Sequence, residues 1–142
     1  MFSHVLVGWD ETAIADRAVD VAAEVARRFD ARLAIVDVVQ PVPHGGPDER
    51  ERQAELRGHR LHGEEAVARA ARHGVTASFA LIEDGDAAHA LVDAAHRIGA
   101  DLIVVGRRHS GSLERKLLGS VSDTVLRLAQ TPVLVVSDEL RG

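Results

Sequence analysis

Residues 106 to 120, GRRHSGSLERKLLGS, stand between an apolar run, DLIVV, and a helical pattern, VSDTVLRLA. Gly106, Gly111 and Gly119 let backbone N–H groups turn toward one point, and Ser120 opens the helix whose N-terminus adds partial positive charge. That combination suits an anion such as a phosphate group. Arg107 and Arg108 can clamp phosphate oxygens, against the plainer role of a solvated basic pair. The stretch is neither a Walker loop, since no lysine follows a glycine ahead of Ser or Thr, nor a dinucleotide fingerprint. Its alternative is a surface loop in which Gly119 and Ser120 simply begin a helix.

A second chemical group follows the first apolar run, in GWDET at Gly8 to Thr12. An acidic side chain at a strand's carboxyl end, such as Asp10, can accept from a ribose hydroxyl or hold a metal ion that bridges phosphates. Equally, Asp10 or Thr12 can cap the helix that comes next. His59 and His62, with Glu65, have the spacing of ligands on one helical face, as do His89, Asp93 and His96. Set in helices dense with charge, both groups read as solvated surface. No hydroxyl has an adjacent base and no carboxylate pair has a recognisable spacing, so no catalytic residue is assigned and any nucleotide hydrolysis is expected to be slow.

These residues need elements to position them. Five short apolar runs recur: His4 to Gly8, Arg32 to Val39, Thr76 to Ile82, Asp101 to Gly106 and Pro132 to Ser137. Most are apolar at consecutive positions, as in strands covered on both faces. Between them lie helical patterns. Ile14, Ala18, Val21, Val25 and Phe29 form an apolar stripe expected to face the sheet. A charged helix runs from about Asp48 to His73, with Gly58 and Gly63 expected to loosen it and Gly74 to stop it. Asp86 caps a third helix that ends at Gly99, and Ser120 a fourth, with Asp123 as its capping-box partner.

Such alternation implies an α/β fold: an open five-stranded, mostly parallel sheet flanked by helices on both faces, Rossmann-like, with strand order 3-2-1-4-5. Ligands bind such sheets beyond the carboxyl ends of the strands, which directs attention to the loops after strands one, two and four. The segment QPVPHGGPDERERQ, residues 40 to 53, holds three of the four prolines and is the candidate mobile flap.

Length and composition set the bounds. The 142 residues are expected to form one domain over residues 1–142. There is no cysteine, which excludes thiol catalysis and thiolate metal sites and fits the cytoplasm. A net charge of −5 with 3% aromatic residues argues against a nucleic-acid surface. With 27% charged residues spread throughout, no membrane span is expected, and the N-terminus reads as a strand rather than a leader.

VLVGWDET near the start, GADLIVVGRRHSGSLERKLLGSVSDTVLRLAQTPVLVV near the end and the five alternating strands resemble the universal stress protein family over essentially the whole chain. The family's ATP-binding branch carries Gly, two residues, Gly, nine residues, Gly and then Ser or Thr. Gly106, His109, Gly119 and Ser120 stand at those places, so the spacing is kept and the second glycine is a histidine. Histidine is among the less disfavoured residues at positive φ, and in its protonated form it pairs with phosphate.

The resemblance implies that Gly106, His109, Gly119, Ser120 and Val121 line the phosphate and ribose path. Asp10 would sit by the ribose and a Mg²⁺ ion, Val38 would contact adenine, and Trp9 would lie near the base or in the core. It further implies a cytoplasmic nucleotide-dependent switch in stress response, binding ATP and altering its preference for a protein partner. A homodimer would form through the strand Pro132 to Ser137. The alternatives are a nucleotide-independent dimeric interaction protein of the same fold and an adenylating or pyrophosphatase-type enzyme.

Overall fold

The computed structural model describes residues 1–107 and 121–137. In chain order the elements are β1 (His4–Gly8), α1 (Ala13–Phe29), β2 (Arg32–Val39), α2 (Glu49–Ala71), β3 (Ala77–Glu83), α3 (Ala87–Ile98), β4 (Leu102–Arg107), α4 (Val121–Leu128) and β5 (Val133–Ser137). All pairings are parallel and the sheet runs β3-β2-β1-β4-β5, as the alternation of elements anticipates.

Consecutive strand residues alternate between two cores, which is why the runs are apolar at every position. Val5, Val7, Leu33, Ile35 and Val104 pack under α1 and α2, while Leu6, Val36, Ile103 and Val105 pack under α3 and α4. β3 departs from this rule. As an edge strand it alternates between part-buried and exposed residues over most of its length. Boundaries shift by one residue in three strands, β3, β4 and β5. Asp101 leaves β4 and instead accepts hydrogen bonds from the Ser3 and His4 backbone N–H groups at 2.9 to 3.1 Å, pinning the start of β1.

The caps expected at Thr12, Asp86 and Gly99 form, and the helices bring two corrections. Thr12 Oγ1 accepts from Ala15 N, Asp48 Oδ1 from Glu51 N and Asp86 Oδ1 from His89 N. Gly99 ends α3 in the left-handed region at φ 71°, and Gly74, at φ 80°, follows the last turn of α2. The first correction concerns the face of α1. Ala15, Ala18, Val19, Ala22, Ala23 and Ala26 are buried, whereas Ile14, Val21 and Val25 flank them and Phe29 is exposed. An alanine face lets the helix lie close to the sheet, so the bulkier residues take the margins; Phe29 packs edge-on against Phe2 at 5.3 Å.

The second correction concerns residues 40 to 53. Residues 49 to 53 form the first turn of α2, and only 40 to 48 are loop. Arg52, nearly buried, donates to the Gln40 carbonyl at 2.6 Å and to the carboxylates of Glu55 and Glu83. It thus ties the loop's beginning to α2 and β3. Gly63 does not loosen α2 either: it is buried where a methyl group would overlap the Phe79 ring. Among the described residues, no helix is long and apolar enough to cross a membrane.

Candidate functional site

Beyond the carboxyl ends of β1, β2 and β4 lies a cavity of about 230 Å³. It sits at the point where the strand order reverses, between β1 and β4, the place such sheets use for ligands. Gly8, the last residue of β1, and Gly106, the last but one of β4, line it. A Cβ on Gly8 would stand 2.9 Å from Leu91 Cδ1, and one on Gly106 would stand 3.0 Å from Ile14 Cγ1 and 3.2 Å from the Ile14 carbonyl oxygen. Both glycines therefore admit a neighbouring helix, α3 or α1, close to the strand end. Val36, Val38 and Val105 supply apolar walls, and Val121, the first residue of α4, lies at the edge.

Asp10 and Thr12 are the polar part of this lining. Asp10 Oδ1 accepts from Thr12 Oγ1 at 2.6 Å and from Thr12 N at 3.2 Å, and Thr12 in turn caps α1. Of the two sequence readings of this loop, the cap is present at Thr12, which Asp10 orients while remaining exposed at the cavity. Trp9 belongs chiefly to the core. It is 6% exposed, meets Phe79 edge-on at 6.2 Å and donates from Nε1 to Asp16 at 2.9 Å, while one part of it reaches the lining.

The structure thus gathers Gly8, Trp9, Asp10, Val38, Gly106 and Val121 from three strands, the β1–α1 loop and the start of α4 into one cavity. Arg107, exposed at the end of β4 opposite Ser137, is not in that lining. Arg108, His109, Gly111, Gly119 and Ser120, and the capping role expected of Ser120, lie outside the described residues. Ile14, Ala87 and Leu91 join the lining without having been anticipated. Their signal was an apolar side chain in the first or second turn of a helix that starts at a strand's carboxyl end.

A second constellation corrects the surface reading of His59, which is half-buried, while His62 stays exposed but paired. His59 Nδ1 lies 3.1 Å from Asp37 Oδ2 and 3.0 Å from Glu11 Oε2, and His62 Nδ1 meets the other Glu11 oxygen. Asp37, within the apolar run of β2, has a side chain only 3% exposed. Burial pushes its carboxyl above the usual carboxylate range; His59 opposes that rise, while the charges of Glu11 and Asp10 add to it. Glu11 itself has φ 69°, a left-handed conformation that non-glycine residues rarely hold, and it points its carboxylate away from the Asp10 side of the loop. Glu65, the third member of the sequence group, lines a neighbouring cavity with Glu11 and His62. His89 remains as expected, an exposed residue paired with Asp86 at 2.7 Å.

Comparison with known proteins adds a family. The universal stress protein family model matches residues 1–137. A universal stress protein of Thermus aquaticus is 37% identical, covering 96% of this chain and 99% of its own. Universal stress protein YxiE of Bacillus subtilis is 32% identical over the same shares. Among solved structures, a universal stress protein in complex with cAMP superposes with a TM-score of 0.79 at 29% identity, covering 95% of this chain and 97% of that one. With a family model spanning nearly every residue and relatives of this identity matched along almost their full length, the chain belongs to the universal stress protein family.

Proposed function

We propose that this universal stress protein binds an adenine nucleotide in the cavity at the carboxyl ends of β1, β2 and β4, with ATP and Mg²⁺ as the pair it takes. The observation that carries this reading is the lining itself: an apolar slot between Val36, Val38 and Leu91, adjoined by a polar edge at Asp10 and Thr12. A purine ring suits the slot, and ribose hydroxyls suit the edge. Support comes from the relative solved with cAMP, an adenine nucleotide. Asp10, an exposed carboxylate at the cavity, is the donor type that Mg²⁺ accepts. Gly106, Arg107, Arg108, His109, Gly111, Gly119, Ser120 and Val121 form the proposed phosphate path, and nucleotide occupancy changes the surface offered to a protein partner.

The test is calorimetric titration of nucleotide-stripped protein with ATP and Mg²⁺, beside AMP, cAMP and a His109→Gly variant. Saturable binding by the native protein supports the switch. Binding by the variant alone favours the second reading, a dimeric interaction protein that works without nucleotide, which the histidine at a glycine position of the family pattern recommends. No binding by either protein removes the nucleotide reading altogether.

A further inference from the structure

Glu11, Asp37 and His59 come from three separate elements: the β1–α1 loop, β2 and α2. One ligand atom from each falls within 4.8 Å of the others, and the two distances from His59 Nδ1 are 3.0 and 3.1 Å. A tetrahedral ion with bonds of about 2.0–2.1 Å to N and O has ligand atoms about 3.3 Å apart along each edge. The two edges that meet at His59 are already near that spacing. A single hydrogen on Nδ1 serves the cluster poorly, because it must be split between two carboxylate oxygens in a bifurcated bond. A cation at the centre would accept electron pairs from all three.

Further features point the same way. Asp37 places a carboxylate in the interior, where charge is costly unless it is paired or bound to a metal. Its neighbours Glu11 and Asp10 add negative potential rather than relieve it. Beside Glu11 lies a cavity of about 350 Å³, which His62, Glu65, Arg69 and Arg72 also line, so the Glu11 carboxylate is the ligand nearest solvent. His62, one helical turn from His59, holds the second Glu11 oxygen and so orients the carboxylate.

We propose that Glu11, Asp37 and His59 bind a divalent first-row transition ion, of the Zn²⁺ class, that fastens α2 to β2 and to the loop leaving β1. Imidazole with carboxylates is a borderline donor set that suits such ions, in contrast to the all-oxygen surroundings usual for Mg²⁺. None of the three residues lines the nucleotide cavity. The proposal does not depend on nucleotide binding.

Equilibrium dialysis of chelator-treated full-length protein against Zn²⁺, with Mg²⁺ as comparison, tests it. The expected result is one tightly held Zn²⁺ per chain and a rise of several degrees in melting temperature that Mg²⁺ does not reproduce. Eight histidines offer chances for stray binding, so variants decide the location. His62→Gln should weaken Zn²⁺ about tenfold. His59→Gln should weaken it further, with far-UV circular dichroism confirming that the variant folds. If His59→Gln does not fold, the surface-facing His62→Gln variant carries the test alone. Absence of a stoichiometric ion, or affinity unchanged in the folded variants, overturns the proposal.

Discussion

Asp20 is where a single side chain joins two helices. Its two oxygens accept from Arg69 Nε and Nη2, each at 2.9 Å, and His73 Nε2 lies 3.0 Å away, so α1 is clasped to the end of α2. Burial raises the Asp20 carboxyl, but the hydrogen bonds and charges of Arg69 and His73 outweigh it and leave the group below its ordinary value. A carboxylate held lower in the folded than in the unfolded chain contributes stability above the unfolded pKa, and that contribution disappears as pH falls through the folded one. Asp20→Asn should therefore cost about 1 kcal/mol at pH 7, a figure reduced for partial exposure of the pair. In urea titrations the gap between wild type and variant should close below roughly pH 4. A gap that persists undiminished at pH 2 would mean that the ion pair is not its source.

Among helices, α2 offers the clearest contrast because its two glycines have opposite surroundings. Gly58 has open space where a side chain would go, while Gly63 faces the Phe79 ring. Alanine at Gly58 should raise stability by up to about 1 kcal/mol through helix propensity and a less free unfolded chain. Alanine at Gly63 should lower it by about 1–3 kcal/mol through overpacking. Thermal melts of the two variants should move in opposite directions, and equal shifts would contradict the packing assigned to Phe79.

This is also the scale at which sequence was most and least informative. Strands announced themselves, because residues buried on both faces leave unbroken apolar runs. The buried side of α1 did not, since periodicity weighted Ile14, Val21, Val25 and Phe29 by size whereas contact with the sheet selected the alanines. The cavity was legible through the loops that form it, since strand ends near the reversal point are dictated by topology. His59, Asp37 and Glu11 were not legible as a group, for they lie on three elements and share no local spacing. The one hint was Asp37, a charge inside the otherwise apolar stretch AIVDVV.

For the molecule as a whole, the two sheet edges differ. β3 carries alternating exposed residues, whereas β5 is VLVVS with Val133, Leu134 and Val135 only partly buried in the single chain. An apolar edge invites a partner strand. A second copy pairing along Val133–Ser137 should give light-scattering masses of twice 15.2 kDa at micromolar concentration. Replacing Val135 with lysine, which disfavours edge pairing, should return the mass to that of one chain. A monomer in the unaltered protein would leave β5 as a protected edge and remove the dimer from the functional reading.

The place of β1 at the sheet's centre has a consequence for the chain while it is being made. Of these five strands β1 is made first, and β2 can join it after residue 39, but the strand on its other side, β4, ends only at Arg107. Until then, one row of β1 hydrogen-bonding groups and the apolar residues meant for the α3 face stay open. Asp101, which grips Ser3 and His4 from 98 and 97 residues further along the chain, arrives just ahead of β4 and closes the ring of contacts around the start of β1. Most of the nascent chain must thus be sheltered from aggregation before its oldest strand is finished.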